Sequence, residues 1–252
     1  MCLIFLAIDN HPKYKLVVAA NRDEFYQRQT ARADFWEDHP EILGGRDLEA
    51  GGSWMAINKR GRIAMVTNYR DLRNLKSTAP SRGHLVSDFL LTDQDVEFYL
   101  REIEPKASHY NGFNLIVGDS SRLGYLSNYK EGIEFLSSGI YGLSNGLLDS
   151  DWPKVQRGKE KFTAVLNGEV HAEGLFKLLY NEERAPDDQL PDTGLDLERE
   201  RAVSSMFIKS PGYGTRCSSV LLIDRQNNIE FSERVYDLET FDYTTKKFEL
   251  AE

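Results

Sequence analysis

A chain of 252 residues with 40% apolar and 28% charged residues has the make-up of a globular protein and the length for a substantial core. Its net charge of −9 offers no basic footprint for nucleic acid or an anionic membrane surface, and no stretch approaches the roughly 20 apolar residues of a membrane span. Two cysteines, Cys2 and Cys217, are too few for a disulfide framework, and the opening apolar run lacks the basic start and cleavage site of a signal peptide. One domain over residues 1–252 in a reducing, cytoplasmic setting is therefore expected.

Residues 2–9 and 15–21 are short, almost continuously apolar runs separated by Asn10-His11-Pro12-Lys13-Tyr14. They predict a β-hairpin whose strands are buried on both faces. Residues 55–58 and 63–67 flank Lys59-Arg60-Gly61-Arg62 as a second hairpin. Apolar residues at i, i+4 over 84–90 and 96–100 predict two amphipathic helices. Residues 113–117, 124–127 and 133–136 continue the strand pattern. Pro153, after Ser150-Asp151, marks the start of a helix on which Trp152, Val155, Phe162 and Val165 share a face. A short helix over 175–180 follows. Residues 181–201, acidic and interrupted by Pro186 and Pro191, have no period and read as a long exposed loop, either functional or a solvated insertion. Residues 217–223 and 229–234 form a last hairpin. Doubly buried strands with grouped helices predict an α+β fold in which helices cover two stacked sheets, a four-layer α-β-β-α sandwich.

The chemistry centres on Cys2. A small residue after the initiator Met leads to removal of Met1, which leaves Cys2 with a thiol and an α-amine on one residue. That amine titrates near ~7.7–8.0 and can serve as a base for its own thiol. The Cys2 thiol is then expected to be partly ionised near neutral pH and more reactive than Cys217. An ordinary buried cysteine is the other reading of the same letter. The second strand runs into Ala20-Asn21-Arg22-Asp23-Glu24-Phe25. Alternation puts Asn21 and Asp23 on one face, with Arg22 and Glu24 on the other. If the first two strands pair, Asp23 falls near Cys2, where a carboxylate would hold the α-ammonium. Four polar residues after an apolar run conflict with the burial pattern, as functional sites do; a charged turn entering solvent gives the same letters.

Elsewhere the signals are weaker. Trp54, in Gly51-Gly52-Ser53-Trp54, reads as a pocket-rim indole or as core. Tyr69 and Arg70 read as contacts to a substrate carboxylate or phosphate, or as a solvated strand end. The five histidines show no metal-ligand spacing, so no metal is assigned. No phosphate-loop motif is present.

The opening Met-Cys, Asn21-Arg22-Asp23-Glu24, Gly51-Gly52-Ser53-Trp54, Thr67-Asn68-Tyr69-Arg70, Ser81-Arg82-Gly83, Leu143-Ser144-Asn145 and the segment from Ser210 to Arg216 occur in that order. The set resembles the NRDE family, also called the transport and Golgi organisation protein two family. It is more distantly similar to cysteine N-terminal nucleophile (Ntn) hydrolases of the choloylglycine hydrolase and penicillin V acylase type. That resemblance implies the same α-β-β-α sandwich, Cys2 as nucleophile, and Asn21 and Asp23 in the Asn-x-Asp positions. It implies Asn68 and Asn145 as oxyanion donors, whose amides suit a developing negative charge. Those hydrolases carry an Arg immediately before Asn-x-Asp, where this chain has Ala20, and a distal Arg for which Arg216 is the first candidate and Arg201 the second. The implied activity is a hydrolase or acyltransferase for a small amide, thioester or other acyl substrate, needing no cofactor. Catalytic roles fall to Cys2, Asp23, Asn68 and Asn145, and substrate contacts to Asn21, Arg22, Trp54, Tyr69 and Arg216. The alternative is a non-catalytic binder or carrier of a lipid, acyl or haem-like ligand on the same fold.

Overall fold

A computed structural model describes residues 2–250 of the chain. They form two compact units, one made of the chain up to Gln27 and from Ser138 onward, the other of Arg28–Ser137. In chain order, β1 (Cys2–Ile8) and β2 (Tyr14–Phe25) make the expected hairpin in the first unit. The second unit holds β3 (Thr30–Phe35), β4 (Ile42–Asp47), β5 (Met55–Asn58) and β6 (Ile63–Asn68), then helices α1 (His84–Leu91) and α2 (Val96–Ile103). It closes with β7 (Phe113–Gly118), β8 (Leu123–Ser127) and β9 (Glu134–Leu136). The first unit resumes with β10 (Gly139–Leu143), α3 (Pro153–Leu166), α4 (Ala172–Leu179) and α5 (Leu197–Ala202). It ends with β11 (Lys209–Ser210), β12 (Tyr213–Asp224), β13 (Ile229–Tyr236) and β14 (Tyr243–Leu250).

The first unit's antiparallel sheet runs β10-β1-β2-β12-β13-β14, with the short β11 paired to β12. Both strands of the opening hairpin are thus flanked on each side, and their continuous apolar runs follow from burial on both faces. Leu3, Phe5 and Ala7 of β1, Val17 and Ala19 of β2, and Val220 and Leu222 of β12 pack against Val155 and Phe162 of α3 and Leu175, Phe176 and Leu179 of α4. Ile4, Leu6, Val18 and Leu221, of opposite parity, are buried as well. Each such side chain contributes about 1.5–3 kcal/mol by leaving water. Gly158 sets the approach of α3, because a Cβ there would stand 2.0 Å from the Phe5 ring.

The second unit is a seven-stranded antiparallel meander, β3 to β9 in sequence order. Leu85 and Phe89 of α1 and Val96 and Leu100 of α2 cover one of its faces, meeting Ala64, Val66, Leu115 and Val117. The Asp95 carboxylate starts α2 by accepting the Glu97 N–H at 2.8 Å. The fold is α+β, and each unit is one antiparallel sheet with helices on a single face, the layer content of an α-β-β-α sandwich.

Several elements depart from the sequence reading. β2 does not end at Asn21 but continues through the polar residues to Phe25. Strands β3, β4, β10 and β14 escape the pattern, since β3 is half exposed and β14 mostly so, and β4 and β10 carry paired or flanking glycines. The segment 181–201 is not wholly irregular, because a single 3-10 turn spans Asp187–Gln189 and α5 begins at Leu197 under an Asp196 cap. Among the described residues no helix is long and apolar enough to cross a membrane.

Candidate functional site

The site grows from the pairing of β1 with β2. Cys2 lies opposite Arg22, Leu3 opposite Asn21 and Ile4 opposite Ala20. Directly opposed residues of an antiparallel pair project to the same side. Leu3 belongs to the core under the helices, so Asn21 and Asp23 also project to the helix side. Cys2, Arg22 and Glu24 project to the other. On the far side of β2, Cys217 is also opposite Arg22. The three side chains therefore form a row of thiol, guanidinium and thiol, each at most 8% exposed. Arg22 Nη2 stands 3.9 Å from the Glu24 carboxylate.

Burial pushes the Cys2 thiol up. The Asp23 and Glu24 carboxylates push the same way and the Arg22 guanidinium pulls it down. Burial thus favours the neutral S–H over the thiolate, and attack from a neutral thiol needs a base. Burial and the Glu233 carboxylate push Cys217 well above its ordinary value. Met1, whose removal the sequence reading requires, lies outside the described residues.

Asp23, 1% exposed, accepts the Thr215 hydroxyl at 2.7 Å. Thr215 in turn accepts the Ile208 N–H at 2.9 Å, which leaves its single proton for the carboxylate. Asn21 is engaged within the fold at both ends. Its amide donates to the carbonyls of Leu179 (3.1 Å) and Met206 (2.9 Å), and its oxygen accepts the Ser218 hydroxyl at 2.5 Å. Asn145 is fully buried and follows β10, the strand on the other side of β1. The single proton of the Ser144 hydroxyl is shared between the Cys2 carbonyl (3.4 Å) and the Asn145 side-chain oxygen (3.3 Å). That contact turns the NH2 end of the Asn145 amide away from Ser144.

Arg216 occupies a β-bulge, where Thr215 pairs with Asp23 and Cys217 with Arg22, leaving one extra residue on β12. Its guanidinium donates to the carbonyls of Phe25 (3.0 Å) and Tyr26 (3.3 Å). Burial and the neighbouring Arg22 charge lower its pKa. Arg201 instead pairs with Asp187 at the surface. Trp54, Asn68 and Tyr69 belong to the second unit. The Trp54 indole packs where a Gly45 Cβ would stand 2.0 Å from it. Asn68 ends β6 opposite Phe113. Tyr69 stacks on Tyr129 at 3.8 Å.

Thr215, Ser144 and Ser218 escaped the sequence reading as working parts. Thr215 and Ser144 sit inside motifs it quoted, beside Arg216 and Asn145, whereas nothing in the letters around Ser218 marks it. No group of three or more His, Cys, Asp or Glu among the described residues is arranged to hold a metal ion.

Comparison with known proteins places these motifs in context. The chain is 37% identical over 278 aligned positions to a human protein named Transport and Golgi organization protein 2 homolog, covering 100% of this chain and 99% of the relative. It is 33% identical to the Drosophila melanogaster Transport and Golgi organization protein 2, covering 92% and 91% of the two chains. Among solved structures, a conjugated bile acid hydrolase from Clostridium perfringens is similar at TM-score 0.49 and 9% identity, over 98% of this chain and 97% of that one. The family described as Transport and Golgi organisation 2 matches residues 1–238, a span that takes in Cys2, the Asn21–Glu24 tetrad, Asn145 and Arg216, and the chain belongs to that family.

Proposed function

We propose that the chain is a cysteine hydrolase or acyltransferase of N-terminal nucleophile type, acting on a small amide, thioester or related acyl substrate. The observation that carries this reading is the offset of Asp23 from Cys2. Cys2 is level with Arg22, so Asp23, the next residue of β2, is level with the backbone entering Cys2. In a chain that begins at Cys2, that is where the α-amine would stand. The carboxylate, aimed by Thr215, suits an α-ammonium, and the buried neutral thiol needs the base that the amine supplies.

In this reading the α-amine takes the thiol proton while Sγ adds to the acyl carbon. The carbonyl oxygen becomes an oxyanion and accepts from the Asn145 amide. Asn68 is assigned the same role from its motif alone. Collapse breaks the bond to the leaving amine or thiol, which takes the proton back from the ammonium. Water, or an acceptor nucleophile, then attacks the thioester and restores the thiol. Arg22, beside Cys2, and Arg216 are assigned to an acidic part of the substrate, with Trp54 and Tyr69 as sequence-assigned contacts. Asn21, with both ends of its amide engaged, is read as a brace for β2.

One observation favours the second reading, a carrier, in its acyl or lipid form: the upward push on the Cys2 thiol suits a cysteine that stays neutral, whereas a haem-like ligand would call on the thiolate. Intact-mass measurement of natively expressed protein, followed by incubation with a short-chain p-nitrophenyl ester, separates the two. Loss of Met1 and acylation at Cys2 that disappears in Cys2→Ala are expected. A retained Met1 with an unacylated Cys2 selects the carrier.

A further inference from the structure

On the helix side of the first unit lies a cavity of about 320 Å³, independent of the chemistry assigned to Cys2. One wall is a stripe of α4 and its cap, Glu173, Phe176, Lys177 and Tyr180, spaced i, i+3, i+4 and i+7. The facing wall comes from Arg234 of β13, Phe241 of the β13–β14 turn and Tyr243 of β14.

Two cations already occupy the electron-rich ring faces. The Arg234 guanidinium lies 4.3 Å from the Phe176 ring centroid and 3.9 Å from that of Tyr243. Its donors are committed to Glu173 (2.6 and 3.4 Å) and Thr245 (3.1 Å). Lys209 stands 4.5 Å from the Phe241 ring and 4.9 Å from the Tyr180 ring, bonded to Glu182 at 2.6 Å and the Tyr180 hydroxyl at 2.8 Å. A further cation would meet both of these charges, so an aromatic cage for an ammonium group does not fit. Lys177, at the rim, makes no hydrogen bond or ion pair among the described residues. Apart from these paired charges the lining offers the aromatic rings themselves and the Lys177 ammonium, whose charge is otherwise felt by Glu173 one turn back.

Phe241 adds a second, separate observation. It sits in the left-handed region at φ 61°, a conformation that a bulky side chain adopts only when its surroundings impose it. The turn imposes it: the Phe241 N–H donates to the Asp237 carbonyl (3.0 Å) and the Asp237 N–H to the Asp242 carbonyl (2.7 Å). The Asp237 carboxylate accepts the N–H groups of Glu239 and Thr240. Glycine would serve the backbone better, and a phenyl ring stands at the cavity wall instead.

We propose that this cavity binds a planar aromatic or heteroaromatic ligand bearing a carboxylate or phosphate, with the ring among Tyr180, Phe241 and Tyr243 and the acid on Lys177. The volume corresponds to about ten waters, enough for one or two fused rings and an acid group. Titration calorimetry on the full chain, with indole-3-acetate and adenosine 5′-monophosphate as probes, tests this. At least one should bind, and the uncharged parents indole and adenosine should bind about fivefold more weakly or worse. Which probe wins distinguishes an aryl acid from a nucleotide. Lys177→Gln should erase the advantage of the acid. Phe241→Gly, which relieves the backbone but gives up the ring's contacts with Phe207 and Lys209, should keep the wild-type circular dichroism spectrum yet bind about tenfold more weakly. The proposal is overturned if neither probe binds, if tetramethylammonium binds as tightly, or if both variants bind the probes unchanged.

Discussion

Cys2 and Arg22 face each other across the β1–β2 hairpin, which puts a guanidinium rather than a carboxylate beside the thiol. Asp23, the next residue along, projects to the helix side and is held there by Thr215. The motif thus divides its charges between two faces of one strand. Arg22 and Glu24 share the face of the thiol and Asp23 takes the other, level with the backbone that enters Cys2; the guanidinium lowers the thiol pKa and both carboxylates raise it.

Arg22 is the side chain that, alongside the N-terminal ammonium, pulls the Cys2 thiol down against burial. In Arg22→Met that opposition is lost, while Asp23 and Glu24 keep pushing the thiol up. Alkylation of Cys2 by iodoacetamide at pH 8 should slow by about three- to tenfold, because each pKa unit is a tenfold change in thiolate. Arg22→Lys, which keeps the charge, should recover part of the rate. Equal rates in wild type and Arg22→Met would mean that the guanidinium does not set the thiol.

Asn21 tests bracing against substrate contact. Asn21→Leu has a similar volume but takes the amide away from the Leu179 and Met206 carbonyls and leaves the Ser218 hydroxyl only its Tyr236 partner. Urea unfolding should show a loss of about 2–4 kcal/mol, the scale for several buried groups left without partners. A stability within experimental error of wild type would return Asn21 to the list of substrate contacts.

The sheet centre was legible because β1, β2 and β12 are buried on both faces and so read as unbroken apolar runs. The edge strands β3 and β14 were not, since Thr30–Phe35 is half exposed and Tyr243–Leu250 mostly so, and polar letters serve them equally well. The tail of β2 looked like a strand end because Asn21 and Asp23 contradict a buried strand. Their partners Leu179, Thr215 and Ser218 lie 158, 192 and 197 residues away, where no local pattern can announce them. Alternation correctly separated Asn21 and Asp23 from Arg22. Which of the two faces Cys2 shares depends on register, and a one-residue slip would reverse it.

The two buried thiols make stability sensitive to alkali. Both titrate higher in the folded chain than in the unfolded one, so their contribution is complete below about pH 8.5–9, where the unfolded thiols begin to ionise, and is lost as pH rises towards the folded values. Tyr236, pushed up to about 12 by burial, extends the loss above pH 10. Unfolding free energy should therefore fall from about pH 9 upward, each thiol adding up to ~1.4 kcal/mol per pH unit. Cys217→Ala should flatten the slope between pH 9 and 10 by roughly that amount. An unchanged slope would show that Cys217 ionises equally readily in both states.

Thr215 carries the sharpest test of the proposed chemistry, because its hydroxyl has one proton and two neighbours. It accepts the Ile208 N–H and must therefore point its proton at Asp23. Thr215→Val keeps the shape and removes both bonds, leaving a buried N–H unsatisfied and the carboxylate without its aim, at a cost of about 1–3 kcal/mol. Thr215→Ser keeps the hydroxyl and should restore most of the loss. If Asp23 holds an α-ammonium that serves as base, Thr215→Val should slow acylation of Cys2 by p-nitrophenyl esters about tenfold or more near pH 7, on the scale of one misplaced general base. Alkylation at pH 10, where hydroxide replaces that base, should change little. Ester acylation as fast in Thr215→Val as in the wild type would remove Asp23 from the mechanism, whatever the change in melting temperature.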